Sequence, residues 1–411
     1  MMQNSGVEWI GEIPKDWKVI RLKSAFDLIY RYPTYYNIEY VDSGIIEIRG
    51  EALTKDGLIT ELDDQRYISP DTNNSFPRTQ LELNDLVMSV RGTMGKIGLV
   101  DEKFVGANIT ANLLRLNPNK NLATGKYLRW FFLSSYFNQA LLSVSPQTTI
   151  KTVVIPQLVS IKVILPPVNQ QQAIADYLDK RCGQLDTIIE IKQQQIKTLD
   201  ALRQSIIYQA VTKGLNPTAP LIDSGIEWLG KIPQGWKISK LRYEISIKNG
   251  DFISNKLNID SEYPVVGGNG FMGRTDNYNV DGDIIVIGRV GAYCGNVHYI
   301  SEKSWVSDNA LIVDTKNNKR FFTYLLNAFN LNSIANKTAQ PVVTATNIKA
   351  VYVPIPKLSE QQSIVNYLDQ ETTRINQLKQ NLNQQIDRLQ AYKKSLIYEY
   401  VTGKKRISNS A

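Results

Sequence analysis

Two stretches of this chain set an arginine among glycines between two apolar runs. NDLVMSVRGTMGKIGLV (Asn84–Val100) reads as an Asp-bearing turn, a strand, an Arg–Gly loop and a second strand, and DGDIIVIGRVGAYCGNVHYI (Asp281–Ile300) repeats that order. The first loop offers Arg91, Thr93 and Lys96, the second Arg289 and Tyr293, and Asn108 and Asn309 follow. A guanidinium is a planar donor fork suited to a guanine edge or a phosphate, an amide can pair bidentately with adenine, and glycines let a backbone approach closely. Asn269 and Arg274, in and just after a third glycine-rich turn, join these candidates for DNA contact. Solvated turns with structural glycines are the plainer alternative. Occurrence at matching places in both halves favours the chemical reading.

Other chemistries find little support. One histidine, His298, between Val297 and Tyr299, excludes a two-histidine metal site and reads as an ordinary strand residue. Gly268–Gly273 fits G-x-G-x-x-G, yet turn formers follow it (RTDNYNVDGD) where a dinucleotide fold needs a helix. Glu190-Ile191-Lys192 resembles the end of a nuclease motif but falls inside a helical pattern, without an acidic partner in strand context. No N/D-P-P-Y/F tetrad for adenine methylation and no P-loop occurs, so no metal or catalytic residue is assigned.

The elements that must position the candidates repeat. Gln170–Thr212 and Glu360–Thr402 align without a gap at an offset of 190, matching at Gln171/Gln361, Leu178/Leu368, Asp179/Asp369 and Tyr208/Tyr398 among others. The entries SGVEWIGEIPKDWKVIRL and SGIEWLGKIPQGWKISKL recur at an offset of 219, so the first body is 29 residues longer. Two modules in tandem follow: residues 1–167 and 215–357 as globular bodies, 168–214 and 358–411 as helical regions. Strands are expected at Ile45–Ile48, Leu86–Val90, Ile97–Val100, Ala111–Leu116 and Ile161–Leu165, with a helix over Thr124–Leu142. The second body repeats them at Tyr263–Val266, Ile284–Gly288, Gly295–Ile300, Ala310–Val313 and Val351–Ile355, with a helix over Arg320–Asn330. Each helical region reads as a short helix, a break at Gly183 or Thr372-Thr373, and a longer helix of about 28 residues, roughly 42 Å. Heptad spacing assigns a seam to Leu185, Ile188, Leu199, Leu202 and Ile206, with Lys192 and Gln195 interrupting. In the second copy it assigns Ile375, Leu378, Leu382, Leu389, Tyr392 and Leu396, with Gln385 interrupting. Mutual pairing is preferred over each helix lying on its own body.

A formal charge of +8 in 411 residues favours an anionic partner, nucleic acid before membrane. No apolar run reaches membrane-spanning length. Two cysteines and a start without signal-peptide layout fit a reduced cytoplasmic protein.

The tandem frame, the SG-[VI]-EW-[IL]-G-x-IP-x-x-W-K entries, the P-x-x-x-QQ-x-I-x-x-YLD helix starts and the paired seams resemble the specificity subunit of a type I restriction–modification system. That resemblance implies two mixed α/β target-recognition domains joined by two long antiparallel coiled-coil helices in a pseudo-twofold tandem repeat. It implies a non-catalytic subunit that reads a split, asymmetric site in double-stranded DNA. The helices would set the spacing and dock two adenine-methylating subunits, which endonuclease/translocase subunits join. S-adenosylmethionine, ATP and magnesium would belong to those partners, with no cofactor in this chain. A catalytic methyltransferase or nuclease with an internal duplication, and a coiled-coil adaptor that binds only protein, are the alternatives.

Overall fold

The computed structural model describes residues 1–7, 10–31, 38–91, 93–144, 153–253, 257–336 and 341–407. Glu8 and Trp9 of the first entry motif lie outside them. Two compact units result, residues 1–191 with 384–411, and residues 192–383.

Both bodies are built around the same four-stranded antiparallel sheet. In the first unit its order is Phe26–Arg31, Leu113–Pro118, Leu86–Ser89, Ile97–Leu99. In the second it is Ile245–Asn249, Ala310–Thr315, Ile284–Gly288, Val297–Ile300. The central strands are buried on both faces, so they read as continuous apolar runs, LVMS and IIVIG. Alternation still divides their side chains. Leu86 and Met88 enter the core beneath the helices, while Val87 enters a smaller core with Ile48 and Ile109. Ile285 and Ile287 against Val286 repeat that division in the second unit.

The helix expected over Thr124–Leu142 is two, Gly125–Leu133 and Ser135–Val144, because Ser134 ends one and its hydroxyl caps the next at Phe137 N–H, 3.2 Å. Its counterpart is one helix, Lys319–Phe329, capped by Asn318.

The repeated residues of the helical regions are joints between helix and body. Gln171, fully buried, donates to the Leu122 and Pro166 carbonyls (2.7 and 2.9 Å) and accepts from Thr124 N–H (2.9 Å). Gln361 donates to Pro356 O and Asn317 Oδ1 (2.9 and 3.1 Å) and accepts from Asn318 N–H (2.9 Å). One amide thus satisfies three groups where the body's helix begins. Trp17 donates to Gln170 (3.0 Å) as Trp236 does to Glu360 (3.1 Å), which ties each entry motif to a helix start. Asp179 accepts from Trp130 Nε1 and Asp369 from Tyr324 OH, both at 2.8 Å.

The expected helix breaks do not occur. Val168–Lys213 is one helix of 46 residues and Leu358–Val401 one of 44. Nothing lies within 4 Å of a side chain built at Gly183, and a solvent-facing glycine costs a helix only about 1 kcal/mol. Thr372 returns its hydroxyl to Leu368 O at 2.6 Å, which lets it stay in the helix.

The seam also differs from expectation. Along the first helix the inward line is Cys182, Leu185, Ile189, Lys192, Ile196, Leu199, Arg203, Ile206 and Ala210, in alternating steps of three and four. Along the second it is Thr372, Ile375, Lys379, Leu382, Ile386, Leu389, Lys393, Leu396 and Tyr400. Leu185, Leu199, Ile206, Ile375, Leu382, Leu389 and Leu396 are where the spacing put them. Ile188, Leu202, Leu378 and Tyr392 are corrections, being exposed at 42%, 47%, 44% and 53%. They follow a neighbouring seven-residue line through Gln195 and Gln385. Ile189, Ile196 and Ile386 carry the seam instead.

Each unit contains part of both helices. In the first, Tyr177 packs on Tyr400 (ring centroids 4.6 Å apart) and Lys393 bonds both carboxylate oxygens of Asp186 at 2.7 Å. In the second, Lys379 meets Asp200 at 2.5 Å. The pairing is antiparallel within the first unit, because moving nine residues along one helix moves seven back along the other.

Candidate nucleic-acid interface

Ser89 and Asn112 organise the first candidate site. The Ser89 hydroxyl donates to Thr93 O at 2.6 Å and accepts from Lys96 N–H at 2.9 Å, so it closes the loop that carries Arg91. Asn112 O accepts from Val90 N–H at 2.9 Å, which places the start of the last sheet strand beside that loop. A cleft of about 500 Å³ opens here, lined by Arg49, Arg66, Arg91, Lys96, Thr93 and Asn112 among others. Arg91, Thr93 and Asn112 are exposed and Lys96 half-buried.

Arg66 comes from the smaller sheet and Arg49 directly follows its strand Ile45–Ile48, while Glu51 is the one carboxylate in the cleft lining. Arg49 is held by Asp64 at 2.5 Å, and this hydrogen bond raises its pKa. Glu47, opposite Arg66 in register, is buried and turns inward. Burial raises its carboxyl pKa, while the charge of Arg66 and a hydrogen bond from Tyr40 (3.4 Å) pull the other way.

Asn108 is not part of this cleft. It is fully buried, donates to Asn73 Oδ1 at 2.8 Å and accepts from Ile109 N–H at 2.9 Å. Its amide is committed to the fold and has no face for a base, so it is withdrawn as a contact residue.

The second unit shows why the sequence alignment slipped. Arg289 N–H donates to Asn309 O at 2.9 Å, as Val90 does to Asn112, and Val343 donates to Arg289 O (2.9 Å) as Val153 does to Val90 (3.0 Å). Asn309 is therefore the counterpart of Asn112, and Arg289 of Val90. Asn108 corresponds to Trp305, each lying in the strand that pairs in parallel with the smaller sheet. Sequence reasoning missed Asn112, whose signal was its place directly before the apolar run LLRL, as Asn309 directly precedes ALIV.

Asn269, Arg289, Tyr293 and Asn309 gather at one corner. Gly268-Asn269 is the tight turn between strands Tyr263–Gly267 and Gly270–Thr275, with no helix after it, so no dinucleotide site forms. A Cβ on Gly288 would meet Gly268 O at 2.8 Å and the carbonyl of Tyr293, so only glycine lets these loops touch. Asn269, Tyr293 (52% exposed) and Asn309 face solvent, and Arg289 is half-buried. Arg274 Nη1 donates to the carbonyls of Ser261 and Glu262. Among the described residues no cluster of His, Cys, Asp or Glu could hold a metal, and no helix is long and apolar enough to cross a membrane.

Comparison with known proteins fits this geometry. The family model of the type I restriction modification DNA specificity domain matches twice, over residues 14–201 and 233–388. A putative type I restriction enzyme specificity subunit, MjaX, of Methanocaldococcus jannaschii is 24% identical over 97% of this chain and 96% of its own length. The EcoprrI specificity subunit of Escherichia coli is 32% identical over 28% of this chain and 29% of its own. Among solved structures, a chain described under complex assembly and conformational transition of the type I R-M system has a TM-score of 0.75 at 16% identity, covering 96% of this chain and 99% of that one. The HsdS subunit from Thermoanaerobacter tengcongensis has a TM-score of 0.54 at 16% identity, covering 98% and 100%. The family's model thus covers both units of the chain, one after the other, and the chain belongs to the type I restriction–modification specificity subunits.

Proposed function

We propose that each unit reads one half of a split, asymmetric site in double-stranded DNA. The observation that carries this is the first unit's cleft, which Arg49, Arg66, Arg91 and Lys96 line together with the exposed Asn112 and a single carboxylate, Glu51. Arginines supply phosphate affinity and guanine recognition, and the amide supplies adenine recognition. The second unit offers Asn269, Arg289, Tyr293 and Asn309 at its corner, a different set on the same scaffold, so the two half-sites differ in sequence.

The long helices then act as ruler and docking bar. At 1.5 Å per residue they span about 69 and 66 Å. Two adenine-methylating subunits attach along them, and endonuclease/translocase subunits join those. S-adenosylmethionine, ATP and magnesium act in the partners, and the complex works in the cytoplasm. Exchanging residues 21–167 for the body of another family member, then sequencing methylated DNA from cells carrying the complex, tests the reading. One half of the recognised sequence is expected to change while the other stays. A change in both halves, or methylation or cleavage by the purified chain alone, would count against it.

A further inference from the structure

The second unit contains a cavity of about 450 Å³ whose counterpart in the first unit is filled. Arg203 and Ile207 of the first long helix, His298 and Tyr299 of the edge strand, and Arg320 and Thr323 of the helix Lys319–Phe329 line it. Arg203 Nε and His298 Nε2 are buried there with no hydrogen-bond partner. Arg320 is already paired with Asp369 at 2.7 Å. One guanidinium is left uncompensated in a half-enclosed space.

In the first unit a turn of the chain itself fills this place. Leu99 N–H donates to Gly57 O at 2.9 Å and Leu58 bridges Leu99 in parallel, so the segment Leu53–Ile59 lies along the free edge of Ile97–Leu99. Gly98 makes room for it, since a Cβ there would meet Leu53 and Ile59 side chains at 2.6 and 2.7 Å. Gly57, at φ +73°, fits against Arg129 and Leu133. Asp56 accepts from Lys393 at 3.2 Å. Each contact has its counterpart in the second unit: Lys393 is Arg203 at the repeat offset of 190, and Leu99 and Gly98 correspond to Tyr299 and His298 by strand register. Among the described residues no strand or bridge lies beyond Val297–Ile300.

We propose that this cavity receives an acidic Asp–Gly turn from a partner protein, its carboxylate pairing with Arg203 and its main chain with the edge strand Val297–Ile300, where Val297 O already accepts from Asn327 at 3.2 Å. A carboxylate is the fitting anion because the first unit uses one at the same place, on a turn of defined main-chain geometry. Edge pairing supplies the rest of the affinity. The cavity lining does not include Asn269, Arg289, Tyr293 or Asn309, so the proposal does not rest on how those residues read DNA.

The probe is a fluorescein-labelled peptide of residues 50–61, GEALTKDGLITE, titrated into the full chain by anisotropy. Saturable one-to-one binding is expected. Arg203→Ala in the chain, or an Asp-to-Asn change at position 56 in the peptide, is expected to weaken it about tenfold or more. Arg203→Lys is expected to stay within about threefold, and Thr323→Trp, which fills the cavity, to abolish binding. Thermal melts of the variants check that each is folded. Absence of saturable binding up to millimolar peptide, or equal binding by the Asn peptide or the Arg203→Ala chain, would overturn the proposal. So would displacement by inorganic phosphate or a short DNA duplex at concentrations equal to the peptide, which would assign the cavity to phosphate.

Discussion

Lys393 Nζ sits 2.7 Å from both carboxylate oxygens of Asp186 and 3.2 Å from Asp56, at a seam position where an apolar residue would normally sit. Burial alone would lower its pKa, but bonding to Asp186 and the two negative charges hold it above the usual lysine value. In the repeat, Arg203 takes the place of Lys393 and Asn376 that of Asp186. The two ends of one scaffold are therefore electrostatically unequal.

That inequality predicts unequal mutants. Lys393→Ala strands two partly buried carboxylates and is expected to cost about 1–3 kcal/mol. Arg203→Ala removes a group with no acidic partner and is expected to cost less than half as much. Urea denaturation of both variants checks the order.

The corrected seam makes a second prediction. Ile189→Ala and Ile386→Ala remove side chains exposed by 8% and 6%, and each is expected to cost about 2–4 kcal/mol. Ile188→Ala and Leu378→Ala, one residue and eight residues away in their helices, are expected to stay within about 0.5–1 kcal/mol. Equal losses in denaturation midpoint for Ile188 and Ile189 would restore the first reading of the heptad.

How legible was this from the sequence? The tandem frame was fully so, because Gln171 and Gln361 each make the same three-bond joint where a body's helix begins. Strand positions were legible because both-face burial leaves unbroken apolar runs such as IIVIG. The seam was half legible, since Ile188 and Ile189 are both apolar and only the packed partner decides between them. Lys192, Lys379 and Lys393 hid the true line by placing charge inside it. Asn108 failed for a related reason: an amide looks alike in a sequence whether it faces a base or Asn73.

The exchange of Asn108 for Asn112 is testable directly. Asn108→Ala is expected to lower stability by about 1–3 kcal/mol and leave the recognised sequence unchanged. Asn112→Ala is expected to leave the melting temperature nearly unchanged and relax discrimination at one base pair by about 1–3 kcal/mol. Competition binding of the reconstituted complex against single-base variants of its site separates the two.

Thiol chemistry gives a fourth test. Cys182 and Cys294 are each 1% exposed, and burial pushes the Cys182 thiol up to about 12. Native protein is expected to show no fast-reacting thiol with a disulfide reagent at pH 8, and two after unfolding in urea. A fast native thiol would contradict the packing of Cys182 in the seam.

Alkaline stability is the fifth. Tyr136 donates to Lys162 O at 2.8 Å, and burial pushes its phenol up to about 12; Tyr127, fully buried, is raised the same way. Because the folded values exceed the unfolded value of 10.0, stability is fully present below pH 10 and is lost as the pH climbs toward 12. The urea midpoint is expected to be flat from pH 7 to about 9.5 and to fall steeply above 10. Tyr136→Phe is expected to make that fall shallower, at a cost of about 1 kcal/mol near neutrality.

The first unit draws Leu396, Ile397, Tyr400 and Val401 into its core, and Tyr127 donates to Val401 O at 3.1 Å. Residues 192–383 hold everything the second unit needs. On a translating ribosome the order of completion is therefore reversed relative to the order of coding. The body translated first must wait, with part of its apolar surface uncovered, until the last helical turns emerge, and the body translated second closes before it. A stop codon in the final helix beyond residue 383 would spare the later module and leave the earlier one open.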